Sequence, residues 1–102
     1  MVGGSVTVKK IEKPGKLLDS ESSHFRSGFV ELAPGESIGE HSTKSGEEII
    51  VILDGKAKVV CNGEESIAEA RSLVLIPPNS KHNVTNDSEA SLRYVYIVSK
   101  NQ

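Results

Sequence analysis

The stretch that decides the fold is residues 35–55, GESIGEHSTKSGEEIIVILDG. His41 is followed two residues later by Thr43 and seven residues later by Glu48, and the stretch closes on an apolar run and Asp54-Gly55. Residues two apart lie on the same face of a strand, so His41 and Thr43 should face one side. Imidazole and carboxylate are ligands for divalent transition metals. The stretch therefore predicts half of a metal site in which one position carries a hydroxyl.

The chain outward from this stretch reads as short strands separated by turns. No segment keeps a helical period over ten residues. Many short strands at regular spacing predict an all-β sandwich or barrel, and 102 residues suffice for one domain, 1–102. We expect residues 1–20 to be loosely ordered or to form an edge or swapped strand. The predicted strands are residues 24–32, 37–43, 47–53, 56–61, 64–69, 72–76, 81–85 and 92–98.

Two dipeptides predict hairpins. Asp54-Gly55 and Asn62-Gly63 both lie between strand-like runs, where such pairs favour two-residue turns with positive φ. Residues 47–69 are therefore expected to form a three-stranded meander, with 47–53 paired to 56–61.

Two of the predicted strands are apolar on both faces, IIVIL at 49–53 and YVYIV at 94–98. A strand with one face in water should alternate. The pattern fits a central strand of a sandwich or a covered outer face, and we favour the second, which predicts a homodimer with an apolar interface.

Composition excludes several classes of function. Lys+Arg number 12 against 14 Asp+Glu, for a net charge of -2 without a basic cluster, which argues against binding to nucleic acid or anionic membrane. No apolar run approaches the roughly 20 residues of a membrane span. The single cysteine, Cys61, forms no internal disulfide, so we expect a cytoplasmic protein.

The opening stretch resembles the first motif of the cupin superfamily, G-x5-H-x-H-x(3,4)-E-x6-G. Gly35, His41, Glu48 and Gly55 match it, and Thr43 replaces the second histidine. The spacing to Gly55 identifies Glu48 as the family's ligand glutamate.

A second stretch resembles the second cupin motif, G-x5-P-x-G-x2-H-x3-N. Pro77, His82 and Asn86 match, whereas Arg71 and Asn79 replace the two glycines. Asn79 tolerates a left-handed conformation, and Arg71 predicts a turn that no longer requires positive φ. The resemblance is nearest to small single-domain cupins with HST in the first motif.

The resemblance implies a jelly-roll barrel, also called a double-stranded β-helix, with His41, Glu48 and His82 as metal ligands. Such a set suits Zn, Ni, Mn, Fe or Co. Most metal-binding relatives have a third histidine, so Thr43 is expected to weaken the site without abolishing it. Glu47, on the opposite face from Glu48, should be a surface carboxylate.

The function implied is a small-molecule-binding cupin, either a metal-dependent enzyme such as a dioxygenase or isomerase, or a non-catalytic module that binds a sugar or metabolite. A structural dimer whose pocket is a relic is the third alternative. Candidates to line the pocket are Thr43, Tyr94 and Tyr96, with Arg93 as a further one. His24 is expected at the surface, or else as a replacement ligand.

Overall fold

The computed structural model describes residues 4–100, which form nine β-strands and no helix. Within this range, accordingly, there is no helix of the length and hydropathy needed to cross a membrane. The strands are β1 (Gly15–Leu18), β2 (Phe25–Leu32), β3 (His41–Ser42), β4 (Glu48–Asp54), β5 (Lys56–Cys61), β6 (Glu64–Glu69), β7 (Leu73–Ile76), β8 (Lys81–Thr85) and β9 (Leu92–Ser99).

The strands form two antiparallel sheets. One sheet has the order β1-β2-β9-β4-β7 and the other the order β3-β8-β5-β6. Alternate side chains of both sheets meet in one core, which explains the period-two burial along β4, β5 and β8. This arrangement confirms the all-β jelly-roll prediction. The core consists of Leu32, Ile50, Ile52, Ala57, Val59, Ala68, Ile76, Val84, Leu92 and Tyr94.

The predicted pairing of 47–53 with 56–61 is wrong. β4 pairs with β7 and β9, and β5 pairs with β6 and β8, so the two strands lie in different sheets. Of the two residues in the turn, only Gly55 has positive φ, +86°, whereas a two-residue type I′ turn needs both. Asp54-Gly55 is a corner at which the chain crosses between the sheets.

The Asn62-Gly63 hairpin is confirmed. Asn62 has φ +51° and Gly63 has φ +87°, and β5 pairs with β6 in continuous register up to Cys61 and Glu64. The β-turn conformation matches the twist of the two strands that it joins.

The prediction for Arg71 is also wrong, because Arg71 has φ +69°. The amide of Ser72 donates to the carbonyl of Glu69 at 3.2 Å, which makes Arg71 the third residue of a four-residue turn, and the Arg71 amide donates to Ile52 O at 2.7 Å. That position in a type II turn requires positive φ even when its residue is not glycine. Asn79, with φ +56°, adopts the left-handed conformation expected of it.

The segment around His41 is less regular than predicted. Instead of one strand over 37–43, only His41–Ser42 is a strand, and Ser37 forms an isolated bridge with Thr85. Gly39, with φ +104°, interrupts the run between them. The short β3 still pairs with β8, and this pairing places the site described below.

The N-terminal part enters the fold at β1, an edge strand against β2. Before it, residues 4–14 have no regular secondary structure, and Val6 and Val8 are 89% and 85% exposed. The expectation for residues 1–20 also concerned residues 1–3, which lie outside the described residues.

Candidate metal centre

Two short strands place the two histidines opposite each other. β3 and β8 are antiparallel, with His41 directly across from His82. The ring centroids lie 4.1 Å apart. The His82 side chain is fully buried and that of His41 is 47% exposed, so His82 forms the floor of the site and His41 its rim.

Glu48 approaches from the other sheet. It begins β4, and its buried side chain points between the sheets on the same face as Ile50 and Ile52. Glu48 Oε1 lies 2.9 Å from His82 Nε2 and 3.8 Å from His41 Nε2. Glu47 is exposed, as predicted from the register of the strand.

The ligand atoms of His41, Glu48 and His82 all lie within 4.8 Å of one another. Bonds of about 2.0–2.2 Å to one ion would bring neighbouring ligand atoms to about 3.0–3.4 Å apart. The Glu48–His82 separation needs almost no change, and the exposed His41 has room to approach. Two imidazoles and one carboxylate are a donor set for divalent Fe, Mn, Co, Ni or Zn, so the residues fit a metal ion.

The Nδ1 nitrogens of both imidazole rings, which point away from Glu48, are hydrogen-bonded to the backbone. His41 Nδ1 lies 2.9 Å from Gly39 O, and His82 Nδ1 lies 3.2 Å from Ser80 O. A carbonyl oxygen only accepts, so each Nδ1 carries the hydrogen. In the neutral ring this leaves the lone pair on Nε2, the nitrogen that faces Glu48. Without an ion, the 2.9 Å contact of His82 Nε2 with Glu48 Oε1 is a hydrogen bond that holds one proton, and a bound metal ion would take the place of that proton. The hydrogen bond of Nδ1 to the backbone is the usual way in which a protein orients a metal-binding imidazole.

Thr43 is buried, and its hydroxyl is bonded to the backbone. Oγ1 donates to Pro77 O at 2.8 Å and accepts from the Ser80 amide at 3.1 Å. A hydroxyl has a single hydrogen to donate. Thr43 thus contributes to the cavity wall with its donor already used, and its clearest contact is a link between β3 and the turn before β8.

His41 and Glu48 line a cavity of about 250 Å³ between the sheets, and the fully buried His82 bonds Glu48 without lining the cavity itself. Tyr94 and Tyr96 both line this cavity. Val30, Val84 and Val98 are among its apolar walls.

Burial raises the pKa of the Tyr94 phenol well above its usual value of 10.0, and the nearby charge of Glu48 adds to this effect. Tyr94 is therefore neutral at physiological pH. It offers the cavity a neutral phenol rather than a base.

Two other sequence candidates lie elsewhere. Arg93 forms ion pairs with Glu31 at 2.6 Å and with Asp54 at 3.5 Å outside the cavity. Its neighbours Leu92 and Tyr94 face the interior, so Arg93 faces the opposite side of the strand. His24 is exposed and is not part of the cluster of three ligands.

Arg26 is the charged cavity residue that the sequence analysis missed. It lies in β2 two residues from Gly28 and four from Val30, and the period of two that places Val30 in the cavity places Arg26 there as well. Assigning faces along residues 25–32 would have found it.

Comparison with known proteins agrees with the fold described above. The family model described as "Cupin domain" matches residues 28–98. The tetracenomycin polyketide synthase protein TcmJ of Streptomyces glaucescens is 31% identical over 86 residues, which is 81% of this chain and 58% of that protein. The polyketide synthase protein CurC of Streptomyces cyaneus is 32% identical over 104 residues, covering 92% of this chain and 68% of that protein. The chain thus spans little more than half of the length of the first of these relatives.

Among solved structures, a cupin protein from Bacteroides fragilis superposes with a TM-score of 0.82 at 24% identity, covering 98% of this chain and 86% of that one. At this identity the likeness concerns the fold.

Proposed function

The chain belongs to the cupin family, and from that premise we propose that it binds a small organic molecule beside a divalent metal ion held by His41, Glu48 and His82. The observation that carries the proposal is the orientation of the two imidazoles. Each has its Nδ1 bound to a backbone carbonyl and its Nε2 turned towards one carboxylate oxygen. A structural hydrogen bond of Glu48 needs one imidazole, His82, whereas here a second and partly exposed imidazole, His41, is directed at the same oxygen from 3.8 Å.

The residues of the site would have different roles in binding the ion and the organic molecule. His82 and Glu48, both buried, form the rigid part of the donor set, and His41 at the rim completes it. A bound ion would supply a Lewis acid with open coordination positions for substrate, as in dioxygenase or isomerase chemistry. The valines and tyrosines exclude water from one side of the ligand. The names of the two polyketide synthase relatives support a small organic molecule as the ligand.

A binding module without catalysis is the second candidate. Apart from Glu48 and His41, the titratable side chains that line the cavity are Arg26, Tyr94 and Tyr96, in the part of the chain that the structure describes. Arg26 stays charged and Tyr94 stays protonated at neutral pH, so neither is a ready general base.

We also propose that the protein is a cytoplasmic homodimer. The outer face of the five-stranded sheet carries two apolar rows across three strands, Leu73–Val51–Val95 and Leu75–Ile49–Ile97. Leu73 and Leu75 are 66% and 57% exposed. A second copy on this face would cover them. The free Cys61 supports a reducing compartment.

The test of the metal centre is thermal unfolding of chelator-treated protein with and without Zn²⁺, Ni²⁺ or Mn²⁺. An ion that binds the native state at 100 times its Kd adds about 2.7 kcal/mol of stability, so the melting temperature should rise for the wild type. Glu48→Gln and His82→Ala should lose that rise.

Glu47→Gln is the matched control, because it removes a neighbouring carboxylate that faces outward. It should respond to metal as the wild type does. Equal responses of Glu48→Gln and Glu47→Gln would contradict the proposal, as would a wild type that responds to none of the three ions.

A further inference from the structure

Arg26 faces the cavity but takes no part in the donor set. It lies on the inner face of β2, directly across from Val98 of β9, and both side chains line the cavity with His41 and Glu48. The side chain is exposed, which puts the guanidinium at the open end rather than at the floor.

The guanidinium has no carboxylate partner among residues 4–100, where no acidic oxygen lies within 4.0 Å of it. Arg93, which lies on the outer face of β9, shows the contrast, since it pairs with both Glu31 and Asp54. A guanidinium presents a planar fork of donors that matches the two oxygens of a carboxylate. Arg26 offers this fork at the cavity mouth.

The charge of the cavity favours an anion as well. Glu48 and Arg26 are the acidic and the guanidinium side chain among its lining residues, and their formal charges cancel. With the proposed divalent ion in place the cavity carries a net charge of about +2, and its low-dielectric walls of valine strengthen the field. A neutral ligand would leave this charge uncompensated.

Tyr96 separates this cavity from a second one. A Cβ on Gly28 would lie 2.5 Å from the Tyr96 hydroxyl oxygen, so the ring lies directly on the bare backbone of β2. The second cavity is lined by Lys16, Leu18, Asp19, Arg26, Ser27 and Tyr96.

The second cavity suits an anion less well. Its other cation, Lys16, already pairs with Asp19 at 3.3 Å, and Asp19 itself repels a second carboxylate. Arg26, which borders both cavities, is therefore expected to hold an anion on the side of the metal centre.

We propose that the main cavity selects a small organic carboxylate, with Arg26 binding the carboxylate group at the mouth and the remainder of the molecule directed towards His41 and Glu48. The direction of the ligand rests on the metal centre proposed above. The volume of about 250 Å³ is just below the roughly 300–1,000 Å³ usual for ligand sites, so the carboxylate is a compact one. Arg26 is on this proposal the residue that sets the charge class of the ligand.

The experiment is a nuclear magnetic resonance titration of the isotope-labelled full chain with benzoate and with benzamide, its neutral isostere. It is run on chelator-treated protein and on protein with Zn²⁺, a diamagnetic ion that leaves the spectra sharp. Benzoate should shift the amide signals of residues such as Val30, Tyr96 and Val98, and benzamide should bind at least about tenfold more weakly.

Three variants locate the anion. Arg26→Gln should weaken benzoate binding by about tenfold or more, while Arg71→Gln, which removes the same charge from a residue that lines neither cavity, should leave it unchanged. Lys16→Gln should also bind as the wild type does. A large loss with Lys16→Gln would move the anion to the second cavity and overturn the proposal.

The outcomes separate the two proposals. Arg26→Gln should bind Zn²⁺ no more weakly than wild type, because it removes a positive charge near the ion. If Zn²⁺ binds and benzoate binding is the same in wild type and Arg26→Gln, the carboxylate subsite is wrong and the metal centre stands. If benzoate binding depends on Arg26 without any binding of Zn²⁺, the subsite stands and the metal centre is wrong. Equal affinities for benzoate and benzamide would also overturn the subsite.

Discussion

The hydroxyl of Thr43 connects two segments that have to stay together for the histidines to face each other. It bridges Pro77 O and the amide of Ser80, and the Ser80 carbonyl in turn accepts from both the Thr43 amide and His82 Nδ1. A histidine in place of Thr43 would add an imidazole to the cavity wall but would leave both backbone groups without this partner. The hydroxyl in the first motif therefore has a structural use of its own.

Thr43→Val tests this role, because valine has nearly the same shape and no hydroxyl. Leaving the buried Ser80 amide and the Pro77 carbonyl without their partner should lower the free energy of unfolding by about 1–3 kcal/mol, measured by urea denaturation. Thr43→Ser keeps the hydroxyl and should lose less. Equal stability of the valine variant and the wild type would mean that the two hydrogen bonds contribute nothing.

Tyr94 predicts a loss of stability in strong base. Its pKa is raised by burial in the folded state, while in the unfolded chain it is near 10.0. The unfolded state therefore releases the proton first, and stability falls as pH rises above about 10. The free energy of unfolding, measured by urea denaturation, should fall with rising pH more steeply for the wild type than for Tyr94→Phe. The difference in slope should be up to about 1.4 kcal/mol per pH unit. Lysine ionisation is common to both proteins, so parallel profiles would argue against the raised pKa.

For single residues, the sequence allowed a correct prediction where the position follows from the alternation of side chains between the two faces of a strand. Glu48 inside and Glu47 outside is such a case, because a single step of register reverses the two. Arg71 could not be predicted in this way. Its positive φ is imposed by the chain reversal between β6 and β7 and by the bond of its amide to Ile52 O, which only the tertiary structure shows.

Among the elements, the corner between β4 and β5 depends on glycine for two reasons. Gly55 has φ +86°, and a Cβ there would lie 2.4 Å from Ser91 O. The backbone before β9 thus passes directly over the corner. This contact, rather than a hairpin turn, is what the Asp-Gly pair serves here.

A comparison of two glycines isolates the steric part of this requirement. Gly63 has almost the same φ, +87°, but a Cβ on it would meet nothing within 4 Å. Gly63→Ala should cost about 1–2 kcal/mol of unfolding free energy for the left-handed backbone alone. Gly55→Ala should cost about 1–3 kcal/mol more, because backbone has to move. Chemical denaturation of the two variants measures both terms, and equal costs would remove the close approach from the account.

Hairpin signals are local, and this limits what they can predict. Asn62-Gly63 is flanked by strands that stay in one sheet, so the local signal and the topology agree. Asp54-Gly55 has the same local signal, but Ile50 and Ile52 need partners from β7 and β9, and burying them in the larger sheet overrides the hairpin. The strands themselves were predictable from their pattern, and the choice of sheet for each was not.

For the whole molecule, the apolar outer face of the five-stranded sheet predicts self-association. The double variant Leu73→Glu, Leu75→Glu places two charges on the edge strand β7 and should convert a dimer into a monomer in sedimentation experiments. Ile67→Glu is the control, since Ile67 is 55% exposed in β6 of the other sheet. A wild type that sediments as a monomer at high concentration would exclude the dimer.

The jelly roll and the three clustered residues were both predictable because two spaced motifs specify them together. The cavity was less so. Arg26 belongs to neither motif. The period of two along β2 gives its face, but the cavity on that face is formed by the pairing of β2 with β9. Arg26, the residue proposed to select the ligand, lies in a strand outside the motifs, which is why the fold was predictable and the class of ligand was not.

The two histidines hold their own orientation by a contact within three residues of chain. Each ring is fastened to the carbonyl two positions before it, Gly39 for His41 and Ser80 for His82, and the two residues are direct cross-strand neighbours. The orientation of the two rings thus depends mainly on their own backbone segments and on the antiparallel pairing of two strands. A protein engineer could copy these two tripeptides onto facing strands of an unrelated sheet and add one carboxylate from the opposite sheet. The backbone bonds of Nδ1 would then leave Nε2 of each imidazole facing that carboxylate.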